Sequence, residues 1–308
     1  MTSMAPPQST LLFSSEHSKP DVPAAALELG QFIPYVYHFN MLSDEARMTA
    51  FKDAIAHAVL PGTTVLELGG GTAVMSHFAA QAGAKVWCVE RNPELAREAM
   101  RILKVNPQGH RVTIVEADAF DYLPPQPVDV VICEMIHVGM LREKQLSIID
   151  SFKQRYLAAF GPPLPRFIPE AFFQAVQPIQ QSFDFFGYHA PTHCFQDPLV
   201  EQPRTLELGE PVIYHSASYE DDYSLDCSWE GMLSFTTPGQ FNAIRVITKN
   251  IVAVLEEQQR AAHWSSQYLV VPIDKPMQVA PGQKVMVSFS YVAGDPIREL
   301  RPLISLSS

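Results

Sequence analysis

The chain has little cysteine, a shortage of positive charge and no long apolar run. Its four cysteines, Cys88, Cys133, Cys194 and Cys227, include no C-x-x-C pair. That excludes the spacing of a zinc ribbon or a dithiol redox motif, and no metal site is expected. Cys88 and Cys133 fall inside apolar runs and read as buried thiols. No stretch of eighteen apolar residues exists, so no membrane-spanning helix and no membrane partner are expected. The first twenty residues lack a basic start followed by an apolar core, which excludes a recognisable secretory signal and makes a reducing cytoplasm the expected location. Lys and Arg number 22 against 33 Asp and Glu, a net charge of −11. Such a balance disfavours nucleic acid and anionic membranes as partners and favours a cationic substrate, although ordinary solubility accounts for it equally well. No internal repeat is evident.

What is present begins with a hydrophobic content of 47%, ample for a core in a chain of 308 residues. The stretch Val65-Leu66-Glu67-Leu68-Gly69-Gly70-Gly71-Thr72 reads as a buried strand running into a glycine turn. A helical pattern follows from Ala73 to Gly83, and a second strand, Lys85 to Val89, ends at Glu90. Bare glycine amides and a helix N-terminus suit an approaching ligand, and an acid at the tip of the second strand suits ribose hydroxyls. Position 74, where a dinucleotide fingerprint needs its third glycine, is Val74, so NAD is not favoured. Glu67, Gly69 and Gly71 fit the E/D-x-G-x-G turn of methyltransferases instead, with Ala73 in the last glycine position.

Residues 1–24 are rich in Ser, Pro and Gln and read as a disordered lead. An aromatic stretch with Phe32, Tyr35, Tyr37 and Phe39 follows, then a helix start with Ser43 as cap. Beyond Glu90, Asn92-Pro93 caps another helix. Strands are expected at Val112–Val115 and Val128–Cys133, and a long helix from about Arg142 to Phe160. This rhythm means a parallel sheet with right-handed crossovers, an α/β Rossmann-like class I methyltransferase domain over residues 25–165. Ligands bind such sheets at the carboxyl ends of strands, where Glu67, Glu90, Asp118 and Glu134 fall. Residues 166–308 show short β-like runs divided by Pro, Gly and Asp, which predict a mostly antiparallel β sandwich or barrel-like domain. Within it, residues 184–222 look least regular.

Two glutamates, Glu134 and Glu143, stand nine apart at a strand end and a helix start, so one loop can bring both onto a single pocket. Two carboxylates can hold the paired N–H donors of a guanidinium. With His38 to Arg47, the glycine turn, Glu90, and His263-Trp264 ahead of a late strand, the chain from about Phe32 to Leu306 resembles the protein arginine methyltransferases. The resemblance implies S-adenosylmethionine as cofactor, held by His38, Arg47, Gly69, Gly71 and Glu90, with Arg47 on its carboxylate. It implies that Glu134 and Glu143 form the double-glutamate clamp for a guanidino substrate, and that His263 pairs with Asp44 as the candidate catalytic relay for the proton lost in transfer. Asp118 and Ala119 fall at the adenine end, Ala119 where the family usually has an acid. Met135-Ile136-His137-Val138 replaces an aromatic-containing stretch, Ala262 replaces a threonine, and the segment 184–222 is short for the family's dimerisation arm, leaving a homodimer as an open expectation. The acceptor is expected to be arginine, free, peptidyl or within a metabolite. Transfer to another small-molecule amine or hydroxyl, or an inactive scaffold, are the alternatives.

Overall fold

The computed structural model describes residue 33 and residues 35–306. The lead at 1–24 and Phe32 lie outside the described residues. Two helices come first, α1 (Tyr35–Ser43) and α2 (Glu45–Ala58). Ser43 closes α1 with its hydroxyl on Phe39 O, while Asp44 takes the cap position of α2 and accepts the Arg47 N–H at 2.9 Å. The expected cap therefore moves by one residue, because both Ser and Asp can fill it but only Asp44 sits in the extended conformation between the helices.

The α/β half follows as β1 (Thr64–Leu68), α3 (Val74–Gln81), β2 (Lys85–Glu90), α4 (Pro93–Lys104), β3 (Val112–Glu116), β4 (Val130–Cys133), α5 (Gln145–Phe160) and β5 (Arg166–Ile168). Asn92 caps α4 through the Glu94 N–H, with Pro93 at the first helical position, as the sequence predicts. The five strands form one parallel sheet in the order β3-β2-β1-β4-β5. Every residue of β4 is buried, and so are Val65, Leu66 and Leu68 of β1. Each such side chain contributes roughly 1.5–3 kcal/mol of burial, which is why these central strands read as unbroken apolar runs. Arg166–Ile168, expected to open the β-rich half, is instead the edge of this sheet. Its Phe167 and Ile168 need the apolar flank that β4 and α5 provide.

The β-rich half comprises β6 (Ala171–Gln181), β7 (Asp184–Phe185), β8 (Tyr188–His189), β9 (Cys194–Gln196), β10 (Thr205–Glu207), β11 (Val212–Ser218) and β12 (Trp229–Ser234). It continues with β13 (Gly239–Leu255), β14 (Arg260–Ser265), β15 (Tyr268–Val279), β16 (Lys284–Phe289) and β17 (Leu303–Leu306). Seven strands form an antiparallel sheet around β6 and β13, three more form β12-β16-β17, and β7-β8 is a separate hairpin. The expected barrel is not closed, since the main path begins at β10 and ends at β9. Two runs expected as separate strands, Arg245–Ile247 and Ile251–Val254, are one long strand, β13, carried through its irregularity by pairing on both sides. The stretch 184–222 holds five short strands despite its irregular composition, because β9, β10 and β11 pair with β15 and β6 while β7 and β8 pair with each other. Among the described residues, no helix is long and apolar enough to cross a membrane.

Candidate active site

The strand order reverses between β1 and β4, and the cleft opens at the carboxyl ends of these strands, where open α/β sheets bind ligands. His38, Arg47, Glu67, Gly69 and Gly71 line one part of it. Glu90, Asp118, Ala119, Glu134 and Glu143 line the same cleft. Ten of the expected site residues therefore share one cavity. Asp44 and His263 do not line it.

The turn after β1 is built for close approach. Gly71 has φ 54°, and a Cβ placed there would stand 2.7 Å from His38 Cε1; one at Gly69 would stand 2.6 Å from Met135 Sδ. Glu90 Oε2 accepts the Gly71 N–H at 2.8 Å, and Oε1 accepts that of Asn92 at 2.7 Å. The carboxylate thus ties β2 to the turn and faces the cleft. Asp118 is held by the Phe120 N–H at 2.9 Å and by Arg91 at 3.1 Å. Glu67 lies beneath the turn and accepts the Ser76 N–H at 2.9 Å in the first turn of α3. Desolvation raises its carboxyl to about 7, opposed by its bonds to Ser76.

The centre of the cleft is an ion pair between Arg47 and Glu134, both nearly buried. The Arg47 guanidinium lies 5.3 Å from the Trp264 ring centroid. Desolvation lowers Arg47 to about 10, opposed by Glu143, Asp44 and Glu67. Glu143 is raised to about 7 by desolvation, against the pull of Arg47 and Arg142. Buried His38 Nε2 and Arg47 Nε have no hydrogen-bond partner. Two orphaned polar atoms facing a glycine cradle and a ribose-ready carboxylate fit a nucleoside carrying an amino-acid end.

Glu143 was expected at the start of a helix; it lies in a turn two residues ahead of α5. Gln145, the first residue of α5, donates from Nε2 to Cys133 O at 2.6 Å and accepts the Met135 N–H at 2.9 Å. One buried amide thereby grips both sides of Glu134.

The expected Asp44–His263 pair is not assembled. His263 and Trp264 lie within β14 rather than ahead of a strand, and strand alternation buries Ala262 and Trp264 while exposing His263. Trp264 Nε1 donates to Asp44 Oδ2 at 3.0 Å and takes the partner role assigned to the histidine. Sequence reasoning missed Trp264, Met135 and Gln145.

A family model for a methyltransferase domain matches residues 65–155. An uncharacterised protein of Methanocaldococcus jannaschii is 25% identical over 86% of this chain and 95% of its own length. Protein arginine N-methyltransferase PRMT10 of Arabidopsis thaliana is 32% identical over 53% of this chain. The match spans only 44% of that enzyme's length. Among solved structures, a Trypanosoma brucei PRMT1 enzyme–prozyme heterotetrameric complex with AdoHcy superposes with a TM-score of 0.69 at 16% identity, covering 88% of this chain and 97% of that one. Fold, cleft and these similarities together make the chain an S-adenosylmethionine-dependent class I methyltransferase, a divergent one akin to the protein arginine methyltransferases.

Proposed function

We propose that the protein transfers a methyl group to a guanidino nitrogen of arginine, free, peptidyl or within a small metabolite. The observation that carries this reading is Arg47. Its guanidinium sits on Glu134, within the field of Glu143 and over Trp264, so these carboxylates are placed to hold a guanidinium. When bound, S-adenosylmethionine supplies an electrophilic methyl. Glu90 is suited to the ribose hydroxyls, Asp118 and Ala119 to the adenine end, and Arg47 with His38 to the amino-acid end. Glu134 and Glu143 hold the acceptor, draw positive charge toward the nitrogens they touch and leave the remaining nitrogen more nucleophilic. Arginine does not deprotonate beforehand, so a proton leaves the nitrogen during or after transfer. Glu143, with a carboxyl near 7, is suited to take it and pass it to solvent.

The acidic surface suits a cationic acceptor, and the free cysteines suit a reducing cytoplasm. The β7–β8 hairpin exposes Phe185, Phe186 and Tyr188, apolar surface that suits a second copy of the chain.

The test is mass spectrometry of products from labelled S-adenosylmethionine with free arginine, an arginine-rich peptide and a cell extract. Label on a guanidino nitrogen is expected. Label on an amine or hydroxyl overturns the acceptor assignment. In Glu143→Gln, kcat should fall about a hundredfold or more while cofactor affinity changes little. Glu134→Gln should lose as much rate and also several kcal/mol of stability, on the order of 3, because it strands the buried Arg47. Near-normal turnover in either variant would rule the clamp out.

A further inference from the structure

The segment from Glu134 to Glu143 does not rest on the α/β half alone. Gly139, Met140 and Arg142 have φ of 71°, 53° and 62°. Met140 and Arg142 carry side chains in the left-handed region, a strained conformation that persists only where surrounding structure enforces it. The enforcement comes from the β-rich half. Thr248 Oγ1, on β13, accepts the Gly139 N–H at 2.8 Å, and the Tyr291 hydroxyl donates to Gly139 O at 2.8 Å. The backbone also joins the two halves, with Gly294 N–H on Met140 O at 2.7 Å and Arg142 N–H on Asp295 O at 2.8 Å. Thr248 and Tyr291 are both buried. Behind Tyr291, Tyr214 and Gln174 complete a polar cluster, the two phenol oxygens 2.7 Å apart and the Tyr291 oxygen 3.0 Å from Gln174 Oε1. A phenol has one proton to give, and Gly139 O at 2.8 Å is a nearer acceptor for Tyr291 than Gln174 Oε1 at 3.0 Å. Burial raises both phenols, which keeps them donors throughout the working pH range.

We propose that Thr248 and Tyr291 are positioning residues for methyl transfer, which grip residue 139 from its N–H and its C=O and so hold the strained loop that presents Glu143 to the acceptor. This rests on the reading of Glu134 and Glu143 as the acceptor clamp. Neither residue touches the cofactor cleft, so the grip acts on acceptor geometry and not on cofactor binding. A shift of about 1 Å in a reacting group can cost about a hundredfold in rate, and released strain acts in that direction.

The experiment compares Thr248→Val, Thr248→Ser and Tyr291→Phe in the full chain. Val is nearly isosteric but cannot accept the Gly139 N–H, whereas Ser can. We expect kcat to fall about tenfold or more in Thr248→Val and Tyr291→Phe, with S-adenosylmethionine Kd within about twofold of wild type. We expect Thr248→Ser to restore most of the rate. Hydrogen exchange over residues 134–143 should quicken in the two impaired variants and not in Thr248→Ser, and this readout needs no acceptor at all. Unchanged exchange in Tyr291→Phe and Thr248→Val would overturn the grip, whatever the acceptor proves to be. Faster exchange with unchanged kcat on the acceptor that is turned over would overturn its catalytic role. Loss of cofactor affinity in proportion to kcat would mark the residues as merely structural and also overturn it. Methylation of a non-guanidino acceptor leaves the exchange result standing and removes only the reading on which the inference rests.

Discussion

Glu67 gives a stability signature that depends on no substrate. It is buried beneath the glycine turn, and desolvation raises its carboxyl from 4.5 to about 7. Between those two values the folded protein keeps a proton that the unfolded chain has lost. Folding stability therefore falls as pH rises through this window, by about 3 kcal/mol at 1.36 kcal/mol per unit. Glu143 is raised to the same value and adds a second contribution of the same sign. In Glu67→Gln the amide oxygen can still accept the Ser76 N–H, and no charge is generated. The variant should be more stable than wild type above pH 7, by up to about 3 kcal/mol, and lose about half of the pH slope. Urea midpoints of the cofactor-free protein at pH 5, 6, 7 and 8 measure both quantities. A slope in the variant equal to that of wild type would refute the assignment, because it would mean that Glu67 is ionised in the folded state across the whole range.

Three further outcomes follow from the cleft. Glu90→Ala removes the acceptor of the Gly71 and Asn92 N–H groups and should weaken cofactor binding by about tenfold or more in calorimetry, with NAD not bound by wild type or variant. Trp264→Phe removes the bond to Asp44 and should cost about 1 kcal/mol of stability and lower kcat, while exposed His263→Ala should stay near wild type in both; the reverse ranking would restore the histidine as Asp44's partner. The guanidino clamp needs ionised Glu143, so kcat/KM should rise with pH and level off above about 7, and Glu143→Gln should lose that inflexion.

Much of the α/β half was legible because its signals are local. Gly69 to Gly71, Glu90 at the strand tip and Asn92-Pro93 each encode geometry within a few residues, and the structure realises all three. The separation of Glu134 and Glu143 was readable for the same reason. What was not readable depends on long-range pairing. The ion pair of Arg47 with Glu134 joins residues far apart in sequence, and no pattern near either one signals it. The irregular look of 184–222 is a property of composition, and the order of β9, β10 and β11 comes from strands contributed elsewhere. The resemblance pairs His263 with Asp44, whereas the two-residue period of β14 decides which side chain reaches Asp44. Ala73 is a milder case. It adopts φ 62° at the start of α3, so the backbone shape of a glycine persists although the residue has changed.

The amide of Gln145 carries a consequence for how this family of sites can diversify. It bridges Cys133 and Met135, on either side of Glu134, from a residue only two positions beyond Glu143. The loop is therefore pinched at its base like the neck of a purse. That neck holds the base of the loop, while Thr248 and Tyr291 hold its far side at Gly139. Met135 lines the cleft and is only half-buried, so its side chain can be exchanged to alter the rim, whereas Ile136 and Val138 are buried in the core and must keep their packing. An engineer seeking a new acceptor would vary Met135 and leave Gln145 alone.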